Sequence, residues 1–267
     1  HDCNCKAYNR STKRTGKIVA YKIGEAISRH YVRTVTSGIY KWVRISGCIY
    51  GCFCKILYWW KLFVSICKSK KERKENKETA TCIGLSAIKL LKADANAVMV
   101  VLPSDHYIYG EKEYLDTLKQ AVDIANKRRG VVTLGIEPKR PETGYGYIQM
   151  GERVNGNIAT YKVERFTEKP NIEVAKDFIQ KGTYLWNSGI FVFRADVILR
   201  EIEKYLPKMH SSLMEIYKYI GEEDEEKVIK EEYRKIEGIS IDFGIMQKTR
   251  KAYVVKCNFL WDDIGSF

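Results

Sequence analysis

Two uninterrupted apolar runs, Ala97 to Leu102 and Val131 to Ile136, constrain the fold of this 267-residue chain more than any other feature. A strand with one wet face alternates polar and apolar residues. A run without alternation is covered on both faces. Helical spacing surrounds the two runs. Thr81 to Leu91 carries Ile83, Leu85, Ala87, Ile88 and Leu91, and Tyr114 to Arg128 aligns Leu115, Leu118, Val122 and Ala125, with Gly130 as its stop. Tyr147 to Met150 and Ile158 to Phe166 read as strands flanking a turn at Asn155-Gly156-Asn157. Asn171 is placed to cap a helix ending at Gly182, and Asp196 to cap one from Val197 to Leu206 that Pro207 stops. Gly189 to Phe193 and Val254 to Leu260 read as strands, and Glu222 to Glu237 as a charged surface helix. Strands alternating with helices predict an α/β fold: a mixed, mostly parallel sheet with helices on both faces.

The first quarter does not follow this pattern. Residues 1–74 hold 17 of the 46 Lys and Arg but only 3 of the 33 acids (Asp2, Glu25 and Glu72). The remainder, 29 basic against 30 acidic, is balanced, so the whole excess of +13 lies at one end. No acid occurs between Glu25 and Glu72, whereas a solvated surface mixes both signs. No capping pattern and no sustained period of 2 or 3.6 is visible there. The chain therefore divides into an anomalous basic segment, 1–74, rich in Cys and aromatic residues, and an α/β core, 75–267. Arg44, Lys55 and Lys61 interrupt the most apolar stretch below the ~18 residues a membrane helix needs. No basic leader runs into an apolar signal segment. A cytoplasmic, reduced protein is the expectation, with no membrane partner. Cys48, Cys52 and Cys54 have a spacing that is not a usual zinc knuckle.

In α/β sheets, reactive groups collect at the carboxyl ends of strands. Asp105 in "VLPSDHYI" and Asp263 in "LWDDIGSF" each follow a strand. Two such carboxylates suit one Mg²⁺, which takes few protein oxygens and leaves positions for phosphates. The plain alternatives are an N-cap for Asp105 and a turn residue for Asp263. "RPETGYGYI", with Gly146 the second of its two glycines, lets backbone approach a ligand or is a simple loop. "FTEKP" sets Glu168 beside Lys169, suited to sugar hydroxyls and a phosphate, or to a solvated strand end. "LWNSGIFVF" offers Asn187 to a hydroxyl, or as a turn residue.

Taken in order, "VLPSDHYI", "GIEPKRPETGYGYI", "VERFTEKP", "YLWNSGIFVF", "SIDFGIMQK" and "LWDDIGSF" resemble the sugar nucleotidyltransferases, over about Glu75 to Phe267. "RPETGYGYI" with "LWNSGIF" is more typical of the mannose-1-phosphate guanylyltransferases than of the glucose-1-phosphate thymidylyltransferases. The resemblance implies a Rossmann-like fold of the nucleotide-diphospho-sugar transferase type. It also implies transfer of GMP from GTP to mannose 1-phosphate, giving GDP-mannose and pyrophosphate. In that family Asp105 and Asp263 would hold Mg²⁺, and Asp105 and Lys169 would be catalytic. Glu168 and Asn187 would bind mannose beside the Gly146 backbone, with Lys169 on the sugar phosphate. GTP and mannose 1-phosphate are the implied partners, nucleic acid is not, and a homodimer is left open. Other sugars or bases stay open as well, as does a nucleic-acid- or membrane-binding N-terminal module on an inactive body.

The likeness fails at the front. The family's Gly-rich triphosphate loop, roughly G-G-x-G-x-R-L-W-P, has no counterpart; the nearest text, "STKRTGKIVAY", has one glycine. The family's R-N-T-A-P becomes "NKETAT", with Glu78 where Asn is usual. Family members usually continue past "WDDIGSF", so a shortened C-terminal end is expected too. Codons can be chosen for Lys17-Ile18-Val19-Ala20-Tyr21 that, read one base later, give Arg-Leu-Trp-Pro. The same treatment of His1 to Asn9 gives a Met followed by an apolar strand. Residues 1 to about 72 are therefore expected to be an out-of-frame translation, with the native frame resuming near Lys74. Sequencing the gene is expected to reveal that frame change; an uninterrupted native frame contradicts it.

Overall fold

The computed structural model describes residues 19–22 (backbone only), 78–103, 105–154 and 156–264. The other readings made for residues 1–77, including the cysteine spacing, lie outside the described residues. The described strands, in chain order, are β1 (Val19–Lys22), β2 (Val98–Leu102), β3 (His106–Tyr109), β4 (Val131–Ile136), β5 (Tyr147–Val154), β6 (Thr160–Thr167), β7 (Tyr184–Arg194), β8 (Ala252–Lys256) and β9 (Leu260–Asp263). The helices are α1 (Glu78–Ala93), α2 (Glu111–Arg128), α3 (Ile172–Lys181), α4 (Ala195–Tyr205), α5 (Pro207–Tyr219) and α6 (Glu225–Lys235). A single π-helical turn covers Asp242–Met246.

Seven strands form the main sheet in the order β1-β2-β7-β4-β8-β6-β5, and β5 also pairs with β7. The mixed α/β class is as expected, with one correction. Among the described pairings only β4–β8 is parallel; β7 runs antiparallel to both β2 and β4. The reason is that β7 is inserted between strands that would otherwise be parallel neighbours. Hence β2, β4 and β8 still point the same way, and their carboxyl ends share one edge. That edge is where the site residues emerge. β1, within the segment that showed no pattern, pairs antiparallel with β2.

Both faces are covered, as the continuous runs require. Met99 and Val101 of β2 face a core built with Ile83 and Ile88 of α1, Ile198 of α4 and Leu213 of α5. Val98 and Val100 face a second core with Leu118 and Ile124 of α2 and Phe178 of α3. Helix α3 begins as expected, the Asn171 side chain accepting the Val174 N–H at 2.9 Å, and ends at Gly182 with φ +63°.

Other boundaries differ for identifiable reasons. Helix α2 ends at Arg128 as expected, but the left-handed residue that caps it is Arg129, not Gly130. A Cβ at position 130 would collide with the Lys251 carbonyl, so that glycine serves close packing. Asp196 lies inside the first turn of α4 rather than capping it, held by Arg129, Arg194 and Arg200. Pro207 does not merely stop α4: it opens α5, where its missing N–H is not needed. β7 starts five residues before Gly189, because Tyr184 to Trp186 pair with β5. "LWDD" is not a turn after a long strand. It is β9, a separate strand paired antiparallel with β3 in a two-stranded ribbon.

Candidate functional site

The β3–β9 ribbon brings the two predicted metal-binding carboxylates together. His106 is the register partner of Asp263, and the Ile264 N–H donates to the Asp105 carbonyl at 3.1 Å. Ligand atoms of Asp105, His106 and Asp263, all half-buried, lie within 4.8 Å of one another. Trp261 Nε1–H donates to His106 Nδ1 at 3.1 Å. Neutral His106 therefore carries its proton on Nε2 and turns a donor, not a lone pair, towards any ligand. Burial lowers the His106 pKa, opposed by the charges of Asp263 and Asp105. The hard-oxygen donors left are the two carboxylates, a set that fits Mg²⁺.

A second cluster forms around β7. Thr133 of β4 pairs with Phe191, yet Gly135, two residues on, pairs with Asn187, four residues back. β7 thus bulges at 188–190. Gly189 takes φ +70°, a conformation that side chains rarely adopt, and Ser188 Oγ donates to the Leu134 carbonyl at 2.8 Å. The bulge aims the Asn187 amide: Thr133 Oγ1 donates to its Oδ1 at 2.8 Å, and its Nδ2 donates to Asp242 Oδ1 at 3.1 Å. Asn187 is therefore part of a strand and not a turn residue. Its backbone N–H donates to the Gly146 carbonyl at 2.7 Å. A Cβ on Gly146 would stand 2.6 Å from Glu168 Oε2 and 3.4 Å from Asn187 Cβ. Position 146 thus admits only glycine if the Glu168 carboxylate is to stay in place.

Glu168 is almost enclosed, its side chain 9% exposed, and Lys169 Nζ sits 3.4 Å from its carboxylate. Burial raises the Glu168 pKa, and Lys169 pulls it back. Lys169 has φ +45° immediately before Pro170. This is a rare backbone conformation of the kind that clusters at functional sites. All four predicted sugar-binding residues, Gly146, Glu168, Lys169 and Asn187, are thereby brought together. An aromatic wall joins this cluster to the carboxylate pair. Tyr145 makes edge contacts with Trp186 and Trp261, at centroid distances of 5.3 and 5.4 Å, and Trp261 makes one with His106 at 5.0 Å. Arg140 lies over Trp186 and bonds Glu142 at 3.2 Å.

Sequence reasoning missed Thr133, Trp261 and above all Asp242. The motif "SIDFGIMQK" holds Asp242, but its spacing assigns it no role. Asp242 starts the π-helical turn; just before it, the Ile241 N–H donates to Thr79 Oγ1 at 2.8 Å, near the start of α1. Burial, then the charge of Glu168, pushes the Asp242 carboxyl up to about 7, against its own backbone N–H, the charge of Lys169 and the Asn187 amide. A carboxyl with a raised pKa in the folded state favours folding fully below its unfolded value and loses that contribution as pH rises through about 7. Asp242→Asn, neutral at every pH, should therefore be more stable than the parent at pH 8 by roughly 2–4 kcal/mol. The difference should shrink steadily towards pH 4. Thermal unfolding of both proteins across this range measures it; a difference independent of pH contradicts the assignment.

The sequence model for nucleotidyl transferases matches residues 57–267, beginning inside the anomalous segment. The chain is 38% identical to mannose-1-phosphate guanylyltransferase 2 of Escherichia coli O157:H7 over 200 residues, which is 72% of this chain and 41% of that protein. It is 36% identical to a mannose-1-phosphate guanylyltransferase of Salmonella montevideo over 196 residues, again 72% of the chain and 41% of the relative. The chain thus spans about two-fifths of the curated relatives it matches. A solved structure from Thermus thermophilus, described as a mannose-1-phosphate geranyltransferase, superposes with a TM-score of 0.63 at 35% identity, covering 72% of this chain and 53% of that one. One from Helicobacter pylori, described as a mannose-6-phosphate isomerase, gives 0.58 at 30% identity, covering 76% and 80%. With the family match spanning most of the chain and the carboxylate pair and β7 cluster meeting at one end of the sheet, the chain belongs to the nucleotidyl transferase family.

Proposed function

We propose that this chain carries the metal- and sugar-binding half of a mannose-1-phosphate guanylyltransferase, transferring GMP from GTP to mannose 1-phosphate. The observation that carries the proposal is the convergence of Asp105 with Asp263, and of Gly146, Glu168, Lys169 and Asn187, at one end of the sheet. The choice of mannose and GTP rests on "RPETGYGYI" with "LWNSGIF" and on the names of the relatives.

The reaction asks little proton chemistry of the protein. A phosphate monoester has its second pKa near 6, so mannose 1-phosphate is already a dianion at pH 7. One of its phosphate oxygens bonds to the α-phosphorus of GTP as the bond to the bridging β-phosphate oxygen breaks; pyrophosphate leaves with the electron pair. No general base is needed. His106, with Nδ1 engaged by Trp261, is suited to orienting the carboxylates rather than to taking a proton. Bound at Asp105 and Asp263, Mg²⁺ would neutralise crowded phosphate charge. Lys169 meets the sugar phosphate, while Glu168 and Asn187 fix the sugar so that its oxygen is in line. Triphosphate binding belongs to the family's Gly-rich loop, which residues 1–74 do not spell, so turnover by this chain should be small.

The test is pyrophosphate release from GTP with mannose 1-phosphate and Mg²⁺, run beside calorimetric binding of mannose 1-phosphate alone. The expected result is little or no turnover but measurable sugar phosphate binding. Mn²⁺ binding should be lost in Asp105→Asn and in Asp263→Asn. Robust turnover contradicts the impairment, and absent sugar phosphate binding contradicts the proposed function itself.

A further inference from the structure

The hydrogen-bonding capacity of Asn187 is almost exhausted within the protein. Its Oδ1 accepts from the Gly189 N–H at 3.3 Å and faces Thr133 Oγ1 at 2.8 Å, whose single proton it shares with the Ile190 carbonyl at 3.1 Å. A backbone N–H can only donate, so Gly189 fixes which end of the amide faces β4. Nδ2 gives one of its two protons to Asp242 Oδ1 at 3.1 Å. What remains for a ligand is one N–H donor and no acceptor. The acceptors in this cluster must therefore come from its two carboxylates, Glu168 and Asp242. Asp242 is half-buried, and its carboxyl is close enough to Glu168 and Lys169 to feel both charges.

We propose that Asp242 is a specificity-determining residue of the sugar subsite, holding the Asn187 amide through one oxygen and accepting a hydrogen bond from a sugar hydroxyl beside the one taken by Glu168. This deepens the proposed function and rests on it. The ligand it fits is a hexose 1-phosphate that presents two neighbouring hydroxyls as donors and accepts one hydrogen bond from Asn187. An analogue lacking the hydroxyl that Asp242 reads leaves one oxygen of a desolvated carboxyl unsatisfied, which costs more than the loss of a solvated contact. The surroundings support the assignment: the turn carrying Asp242 is tied to the start of α1 by Ile241 N–H to Thr79 Oγ1 and closed internally by Gly244 N–H to the Ser240 carbonyl at 2.9 Å. The carboxylate is thus held rigidly, as a recognition group must be.

The experiment is calorimetric titration of the full chain with mannose 1-phosphate and its 2-, 3- and 4-deoxy analogues, repeated on Asp242→Asn. The expected result is that Asp242→Asn and removal of one particular hydroxyl each weaken binding by about tenfold or more. The two losses should not add when combined, while the other deoxy analogues lose affinity to the same degree in both proteins. A merely structural role would weaken all analogues equally, and that outcome overturns the inference. Should the Asn variant fold poorly, Asp242→Ser takes its place in the same comparison. If the unmodified chain does not bind mannose 1-phosphate, the proposed function fails. If it binds mannose 1-phosphate and no hydroxyl couples to position 242, only the role of Asp242 fails.

Discussion

The pairing of β3 with β9 is the constraint on which the rest depends. These strands are four residues each, and their register sets His106 against Asp263 and Ile108 against Trp261. The Trp261–His106 hydrogen bond closes a separation of 155 positions in sequence. Without this ribbon, Asp105 and Asp263 would be unrelated strand-end acids. With it, two half-buried carboxylates stand within reach of a single cation. His106, held in one tautomer by Trp261, is a donor in place.

The same logic governs the second cluster. Glu168 and Asp242 are both pushed towards protonation by burial, and each has a neighbour that opposes this, Lys169 for one and Asn187 for the other. The β7 bulge, the positive φ of Gly189 and Lys169, and a glycine at 146 against which Glu168 packs are local departures from regular structure. All converge on one small volume. The sheet behind them is conventional: alternating residues of β2 and β7 divide between two cores, each covered by helices. The bulge and the buried carboxyls thus gather at the edge where the carboxyl ends of β2, β4 and β8 emerge.

Much of this was legible in the text of the chain. The uninterrupted runs in β2 and β4 announced coverage on both faces, and the Asn171 and Gly182 signals marked α3 correctly because capping is local chemistry. The six quoted stretches located Asp105, Gly146, Glu168, Lys169, Asn187 and Asp263, and the fold gathers them. What escaped was non-local. That β7 would run against its neighbours, that Asn187 would sit on a bulge, and that Leu260 to Asp263 would pair with His106 to Tyr109 are properties of partners distant in sequence. Pro207 was ambiguous because one residue both ends a helix and begins the next. Asp242 escaped for a related reason: an acid after "SI" carries no local signal, and its role exists only through Asn187 and Glu168, which the chain brings to it from far away.

The most direct test of the central claim is a crystal structure of this chain soaked with Mn²⁺ and mannose 1-phosphate. The account predicts an anomalous peak bound by both Asp105 and Asp263, with the sugar ring against Glu168 and Asn187 and its phosphate towards Lys169. Metal bound by only one of the two aspartates, or a sugar seated away from the β7 bulge, would contradict it.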